Sequence, residues 1–515
     1  MSLTKATFSL IDSAPVNIKD YGAVGDGVTD DTSAINSALS AAAGKSILFP
    51  AQSGSFYLVS DDLIIQSNTV VYMEPSVVIK TAPNTFGTGE AIFKMDEKNN
   101  ITIHGNGATL QGLREGVHPN IISFGVSITG STNIRVYGLK CIDHSGDGFL
   151  VQGADDNTPA FSKDVWLIDC VAQNNMRQGL SIISAKDLWV DHCRFSNTNG
   201  KEPAAGIDIE PESISSLFGI KITNCIADDN EGGGFMVDFN TITEDVDIEF
   251  ANCVAIAGTG VDATGFEISN TRIGGTTGWR CALNDCVAEN TGSYGLLLRN
   301  INKTFSGVTI NNFQALDTNT GQHSVYGDTP VAFYSSNNVI HPDPGNIRIN
   351  GLRIFDSVAA RTPYYINVAS GNPWDDIVIN DLEWVNTVGT AVPYADNGIT
   401  NTYISWSPTP FRVTRTSDTS LTARWSGWIF DNTGDTGLMT YTLPPVAPGL
   451  SFSFEVVAAQ LIRIDPNAAD RLWPFGAGDG KYMESNTIGS TATVKANAAG
   501  TDWVVERFGT WVDEP

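Results

Sequence analysis

Basic residues and histidine are scarce in this chain: six His in 515 residues, and 30 Lys and Arg against 57 Asp and Glu. The formal charge of −27 excludes a nucleic-acid partner, because a phosphate backbone needs a stripe of Lys and Arg and none is visible. Long apolar runs are also missing. No stretch approaches the roughly 18 residues of a membrane helix, and Met1 to Pro15 lacks the charged start and apolar core of a secretory leader. The expectation is a soluble chain, made in the cytosol, with no membrane partner. No Cys-x-x-Cys pair occurs among the seven cysteines, which argues against a metal or redox role for them. Helical periodicity is sparse as well. Fifty glycines, many Asn, Asp, Thr and Ser, and short runs of Val, Ile and Phe describe brief strands separated by turns, an all-β chain.

The cysteines carry the organisation. The phrases DVWLIDCVA, DLWVDHCRF, GIKITNCIA, DIEFANCVA and WRCALNDCVA place Cys170, Cys193, Cys225, Cys253 and Cys286 at one step of a repeat, with core residues five and three positions earlier. Leu139, Phe313, Leu352 and Leu382 continue the column in both directions. Cysteine alternating with ordinary core hydrophobes is a ladder of small buried thiols. The irregular spacing fits coils of constant strands and variable loops.

A second column is a Gly followed by apolar, variable and apolar residues, at Gly148, Gly179, Gly206, Gly234, Gly265 and Gly295. Short strands repeating in register must be parallel and about 4.8 Å apart, with period-two alternation sending every second residue outward. A single-stranded right-handed parallel β-helix follows. Two segments between the columns are longer than the rest, SNTNGKEPAA and IAGTGVDAT, and longer loops at one edge of a regular stack are where clefts acquire walls. The open end of such a stack needs a cap. Asp30 as N-cap and the stripe Ile35, Ala38, Leu39 and Ala42 predict a helix near residues 31–43. The Asp-rich GDGVTDD run reads as turn and capping chemistry in preference to a calcium loop.

The phrase DYGAVGDGVTDDTSAI, followed by LFPA and FYLVS, resembles the opening segment of the pectate-lyase-like superfamily of β-helices, over roughly residues 17–404. That superfamily includes phage tailspike depolymerases, mannuronan C5-epimerases and relatives of polygalacturonases, so the resemblance implies a polysaccharide substrate and leaves the reaction open. It also implies a groove along the face bearing the Gly column. Counting the Gly as outward, the residues two and four after it face the groove as well. These positions hold Asp208, Glu210, Asp238 and Glu267 within three consecutive coils. Like charges at this spacing push at least one pKa upward, the arrangement glycoside hydrolysis requires. The four are the expected catalytic set, with Asp208 and Glu210 first. A solvated acidic face is the competing explanation.

The epimerase strand motif resembles Tyr-Gly-Phe-Asp-Pro-His, and this chain departs from it: Asp208 is kept, Glu210 stands in the His position, and Tyr294 lies on another coil. A metal-assisted lyase is the better rival, with clustered carboxylates holding Ca²⁺ against an acidic sugar and Arg299 or Arg177 near the abstracted proton. Hydrolysis needs no cofactor. His144, Arg177, Tyr294 and Arg299 are the expected substrate contacts; Asp147 is explained equally well by turn chemistry. His323, Tyr326 and Tyr334 occupy an insert that could overhang the groove.

From about residue 405 to 515 the texture changes. TGLMTYTLPPVAPGLSFSFEVVAAQLIRIDP reads as a hairpin-rich β module. It is similar to C-terminal modules of phage tail fibres and spikes, which implies a homotrimer, although carbohydrate binding is an alternative role. Residues 1–16 are a lead segment. Together these readings predict an extracellular or virion-associated depolymerase. A glycan-binding spike or adhesin without catalysis is the rival of a different class.

Overall fold

The structure, a computed structural model, describes residues 14–514 apart from 53, 115–120, 155–159, 213, 240–241, 243, 257, 259, 261–262, 270–278, 304–305, 322–328, 336–343, 357–363, 371–373, 387–391, 395–402, 407–411, 415–416, 422–424, 435–436, 448–449 and 476–477. At 279, 306, 364–370, 375, 384–386, 392–394, 403–406 and 412–414 it describes the backbone alone. The chain divides into two compact units, Met1–Asn380 with Trp384–Ile404, and Ser405–Pro515 with Asp381–Glu383.

The first unit is a right-handed parallel β-helix. A regular coil has three strands, such as Ser162–Ile168, Val171–Gln173 and Gln178–Ile182. The first two strands of successive coils merge into a 23-stranded sheet and the third builds a 12-stranded sheet. Register is kept from coil to coil, as in Val165↔Leu188↔Ile220↔Ile248. The right hand follows from the twist of the strands, which favours right-handed parallel connections.

The corners have a chemical cause. The residue before each member of the cysteine column sits at positive φ: Asp169, His192, Asn224, Asn252 and Asp285 before the five cysteines, Asn312 before Phe313. Asn and Asp tolerate this left-handed conformation better than other non-glycine residues. The chain turns there and drives the next side chain inward. All seven thiols are free and buried, and Leu139, Phe313, Leu352 and Leu382 are buried in the same column.

The capping helix α1 spans Thr32–Ala41 and buries Ile35, Ala38 and Leu39. Its N-cap differs from the expectation by one residue. Asp31 occupies the cap position without a side-chain capping bond. Its carboxylate instead accepts the Val24 and Gly25 amides at 2.6 and 3.0 Å, while Asp30 accepts the Thr32 amide at 3.0 Å. Asp26 accepts the Val28 and Thr29 amides. The Asp-rich run is thus turn and cap chemistry.

Six strands of the 12-stranded sheet matter below: β1 (Asp147–Gln152), β2 (Gln178–Ile182), β3 (Ala205–Ile209), β4 (Gly233–Asp238), β5 (Thr264–Ser269) and β6 (Leu296–Arg299). Here strict alternation from the Gly fails. A Cβ on Gly148 would lie 2.7 Å from Ala172 Cβ, and one on Gly206 2.8 Å from Ala227 Cβ. Both contacts are with small residues of the interior, so the Gly faces inward along with the apolar residue after it. The close approach admits no side chain. The residues two and four after the Gly therefore face the groove, and the residue before it lies on the same side but buried beneath the surface, as at Asp147, Gln178 and Tyr294.

The second unit has a 6-stranded and a 5-stranded sheet around Trp428, Phe430, Tyr441, Phe452, Phe454 and Trp503. Its first half is not built from hairpins. Ile429–Asp431 pairs in parallel with Ser451–Glu455, and Met439–Thr442 in parallel with Ile462–Asp465. The chain alternates between the sheets, so each strand meets its second neighbour. Alternating burial is the same in parallel and antiparallel ladders, which is why the hairpin expectation went astray. Antiparallel pairing comes later, among Ser451–Glu455, Thr491–Ala496 and Trp503–Phe508.

Candidate active site

The register across β2 to β6 sets Ser181, Asp208, Met236, Glu267 and Leu297 in one outward row. A second row pairs Asp238 with Ser269 and Arg299. Rows two residues apart along a strand are separated by about 6.8 Å and adjacent coils by about 4.8 Å. Asp208, Glu210, Asp238 and Glu267 accordingly line one cleft of 420 Å³, together with Arg177, Arg299, Glu202, Pro203, Met236 and Val237. Glu202 and Pro203 come from the longer segment SNTNGKEPAA, which does form a wall.

The four carboxylates are not equivalent. Asp208 is 5 % exposed and its Oδ2 accepts the Gln178 amide Nε2–H at 2.8 Å. Burial first, then the repulsion of Glu210, pushes its pKa up to about 7 against the pull of Arg177. Glu210 follows β3 and is exposed. Glu267 is buried, and burial raises its pKa while Arg299 opposes the rise. Arg299 Nη2 lies 3.1 Å from Glu267 Oε1 and 4.0 Å from Asp238 Oδ2, and Arg299 Nε donates to Ser269 Oγ at 3.1 Å. One end of the cleft is thus an ion-paired cluster and the other a buried acid beside an exposed one. Among the described residues no three His, Cys, Asp or Glu side chains form a metal-ligand set.

Of the expected substrate contacts, Arg177 and Arg299 line the cleft, and His144 and Tyr294 do not. His144 is fully buried, with Nε2 3.2 Å from the Leu110 carbonyl and Nδ1 without a partner. Burial lowers its pKa to about 4, so the ring is a neutral core group. Tyr294 is 1 % exposed and packs with Leu297 and Ala332. Position in the turn before the Gly does not distinguish a cleft residue from one sealed under its neighbours. Tyr334 is half-buried on Val331–Ser335, in register with Arg299; His323 and Tyr326 lie outside the described residues.

Two more residues support the cleft from below, Asp147, for which the sequence left a subsite role and turn chemistry equally open, and Gln178, which it did not single out. Asp147 is fully buried and accepts the Ser181 hydroxyl at 2.8 Å through Oδ2, with Arg177 Nη1 3.7 Å away. Gln178 holds Asp208 and also accepts the Ala205 amide at 3.0 Å. Both precede a Gly of the column. The inward Gly, once recognised, is the signal that would have found them.

Fold and cleft together describe a right-handed parallel β-helix with an acidic groove. Residues 15–158 match the family model described as Rhamnogalacturonase A/epimerase, pectate lyase-like, in keeping with the resemblance of the DYGAVGDGVTDDTSAI phrase. The chain is 29% identical over 224 residues to the uncharacterized protein YclG of Bacillus subtilis (strain 168), covering 38% of each chain. It is 26% identical over 238 residues to the pre-neck appendage protein of Bacillus phage B103, covering 42% of this chain and 26% of that one. It therefore spans well under half the length of either relative. Among solved structures, the family 28 exopolygalacturonase of Yersinia enterocolitica aligns with a TM-score of 0.48 at 12% identity, over 76% of this chain and 78% of that chain.

Proposed function

We propose that the cleft hydrolyses glycosidic bonds of an extracellular or capsular bacterial polysaccharide. The observation that carries this reading is the pairing of Asp208 with Glu210. A buried carboxyl held to about 7 keeps its proton near neutral pH, while an exposed carboxyl stands two residues along the same chain. Asp208 donates its proton to the departing glycosidic oxygen, and Glu210 activates water or attacks the anomeric carbon. Glu267 and Asp238, tied to Arg299, border the sugar. The reading is favoured over a lyase because Arg299 is engaged by Glu267 and Ser269 and Arg177 lies against Asp147, which suits neither guanidinium to proton abstraction.

The family description supports a glycan substrate, and the likeness to a phage appendage protein supports a virion-borne depolymerase. Incubation with a panel of capsular and exopolysaccharides, followed by sizing, tests the function. New reducing ends without the ultraviolet absorbance of an unsaturated product are expected. Unsaturated products would establish a lyase, and a glycan bound but left intact across the panel would establish an adhesin.

A further inference from the structure

We propose that Asp147 is a positioning residue for the cleft: sealed beneath the groove surface, it holds the Arg177 guanidinium at the cleft wall and through it governs the protonation of Asp208. This rests on the reading of Asp208 as the cleft's acid.

The geometry is a chain of contacts across three coils. Asp147 lies on β1, and Ser181 on β2 donates to its Oδ2 at 2.8 Å. Arg177, in the turn that leads into β2, approaches the same oxygen at 3.7 Å, and its backbone N–H donates to the Gly146 carbonyl at 3.0 Å. Arg177 itself lines the cleft with Asp208. Asp208 is fixed from β2 by Gln178, the residue in register with Asp147. Asp147 is 0 % exposed, so no sugar can touch it. Burying a carboxylate is costly unless it is paired and hydrogen-bonded, and the partners that compensate Asp147 are Ser181 and the cleft residue Arg177.

Among the described residues the charged groups around the pair are few. Arg177 and Lys201 face Asp147; Glu210, Arg177, Asp147 and Asp238 face Asp208. Lys201 acts on Asp147 and is not among the charges acting on Asp208; its Nζ donates to the Ile121 and Ser145 carbonyls at 2.5 and 2.7 Å. Arg177 is therefore the cation the two acids share. An anionic Asp147 repels a proton-free Asp208 and draws off part of the Arg177 field. Removing its charge frees Arg177 to act on Asp208 alone, so Asp208 should lose its proton more easily. Removing Arg177 should do the reverse.

The test needs no substrate. Melting temperature is followed from pH 4 to 9 for the full chain and for Asp208→Asn, and the difference between the two curves isolates the titration of Asp208. The same difference is measured in Asp147→Asn and Arg177→Gln backgrounds. The expected midpoint moves down by about one pH unit with Asp147→Asn and up by a similar amount with Arg177→Gln, and the double variant returns near the starting value. A midpoint unmoved by Asp147→Asn, with only an overall change in melting temperature, would overturn the proposal and leave Asp147 a structural residue. Failure of the function reading would show differently, as an unchanged cleavage rate in Asp208→Asn.

Discussion

At Asp208, burial and four neighbouring charges act on one carboxyl, and the consequences are measurable. Asp208→Asn should lower turnover by about 10²–10⁴-fold, the usual contribution of a positioned acid, while glycan binding stays near the original level. Glu210→Gln should do likewise, and Glu267→Gln and Asp238→Asn should affect turnover and binding together. If all four variants cut at the original rate, the chemistry lies elsewhere. Activity should fall as pH rises past about 7, where Asp208 loses its proton. Stability carries the same sign. A carboxyl whose pKa is raised on folding binds its proton more tightly in the folded state, so the stability it contributes is present below the unfolded value of 3.8 and is lost as pH rises. Asp208 at about 7 and Asp147 at about 6 both make the chain less stable between pH 4 and 7. Asp208→Asn should therefore melt several degrees higher than the parent at pH 8 and little differently at pH 4, as scanning calorimetry can record.

At the scale of the strand and its corners, the inward glycines are the constraint that sequence periodicity hides. A Cβ at Gly206 would sit 2.8 Å from both Ala227 Cβ and the Gly234 carbonyl oxygen. Gly206→Ala should destabilise by about 1–3 kcal/mol through overpacking, seen as a lower denaturation midpoint, and should tilt β3 enough to disturb Asp208 as well. The cysteine column was legible because one step recurs with apolar residues at fixed offsets, and the helix α1 because its stripe is compact. Asp208, Glu210, Asp238 and Glu267 were found together because acids on three neighbouring coils must share a face whichever side the Gly takes. Gln178 was not found and Asp147 was left to turn chemistry as readily as to the site, since counting by twos from an outward Gly places both inside. His144 and Tyr294 were misplaced for a related reason: depth beneath neighbouring loops leaves no mark on spacing.

At the scale of the molecule, the homotrimer expected from the texture of residues 405–515 is a prediction that a mass measurement decides. Analytical ultracentrifugation should give three times the chain mass of 55.1 kDa. Deleting residues 406–515 should shift that mass toward the monomer or yield insoluble chains. A stable monomer at micromolar concentration in the full chain would rule the trimer out. The chain's −27 charge also bears on encounter. An anionic glycan would be repelled at long range, so its capture should strengthen with added salt, whereas a neutral glycan should show little dependence.

The segment that brings Glu202 and Pro203 to the cleft leaves the stack after Ser196 and rejoins it at Ala205. Strand pairing stops at Ser196 and resumes at Ala205, while the residues between bond to the coils on either side, as in Asn199 N–H to the Asn175 carbonyl and Glu231 N–H to the Thr198 carbonyl, so the segment sets the groove's outline and the strands set its floor. A chain of this kind can acquire a new polymer by exchanging an overhang as long as Lys201, which faces Asp147 from the same segment, is kept, much as a lathe accepts a different chuck on the same spindle. Grafting a shorter crossover that retains Lys201 between Ser196 and Ala205 should retune which glycan is admitted before it touches the rate at which an admitted bond is broken.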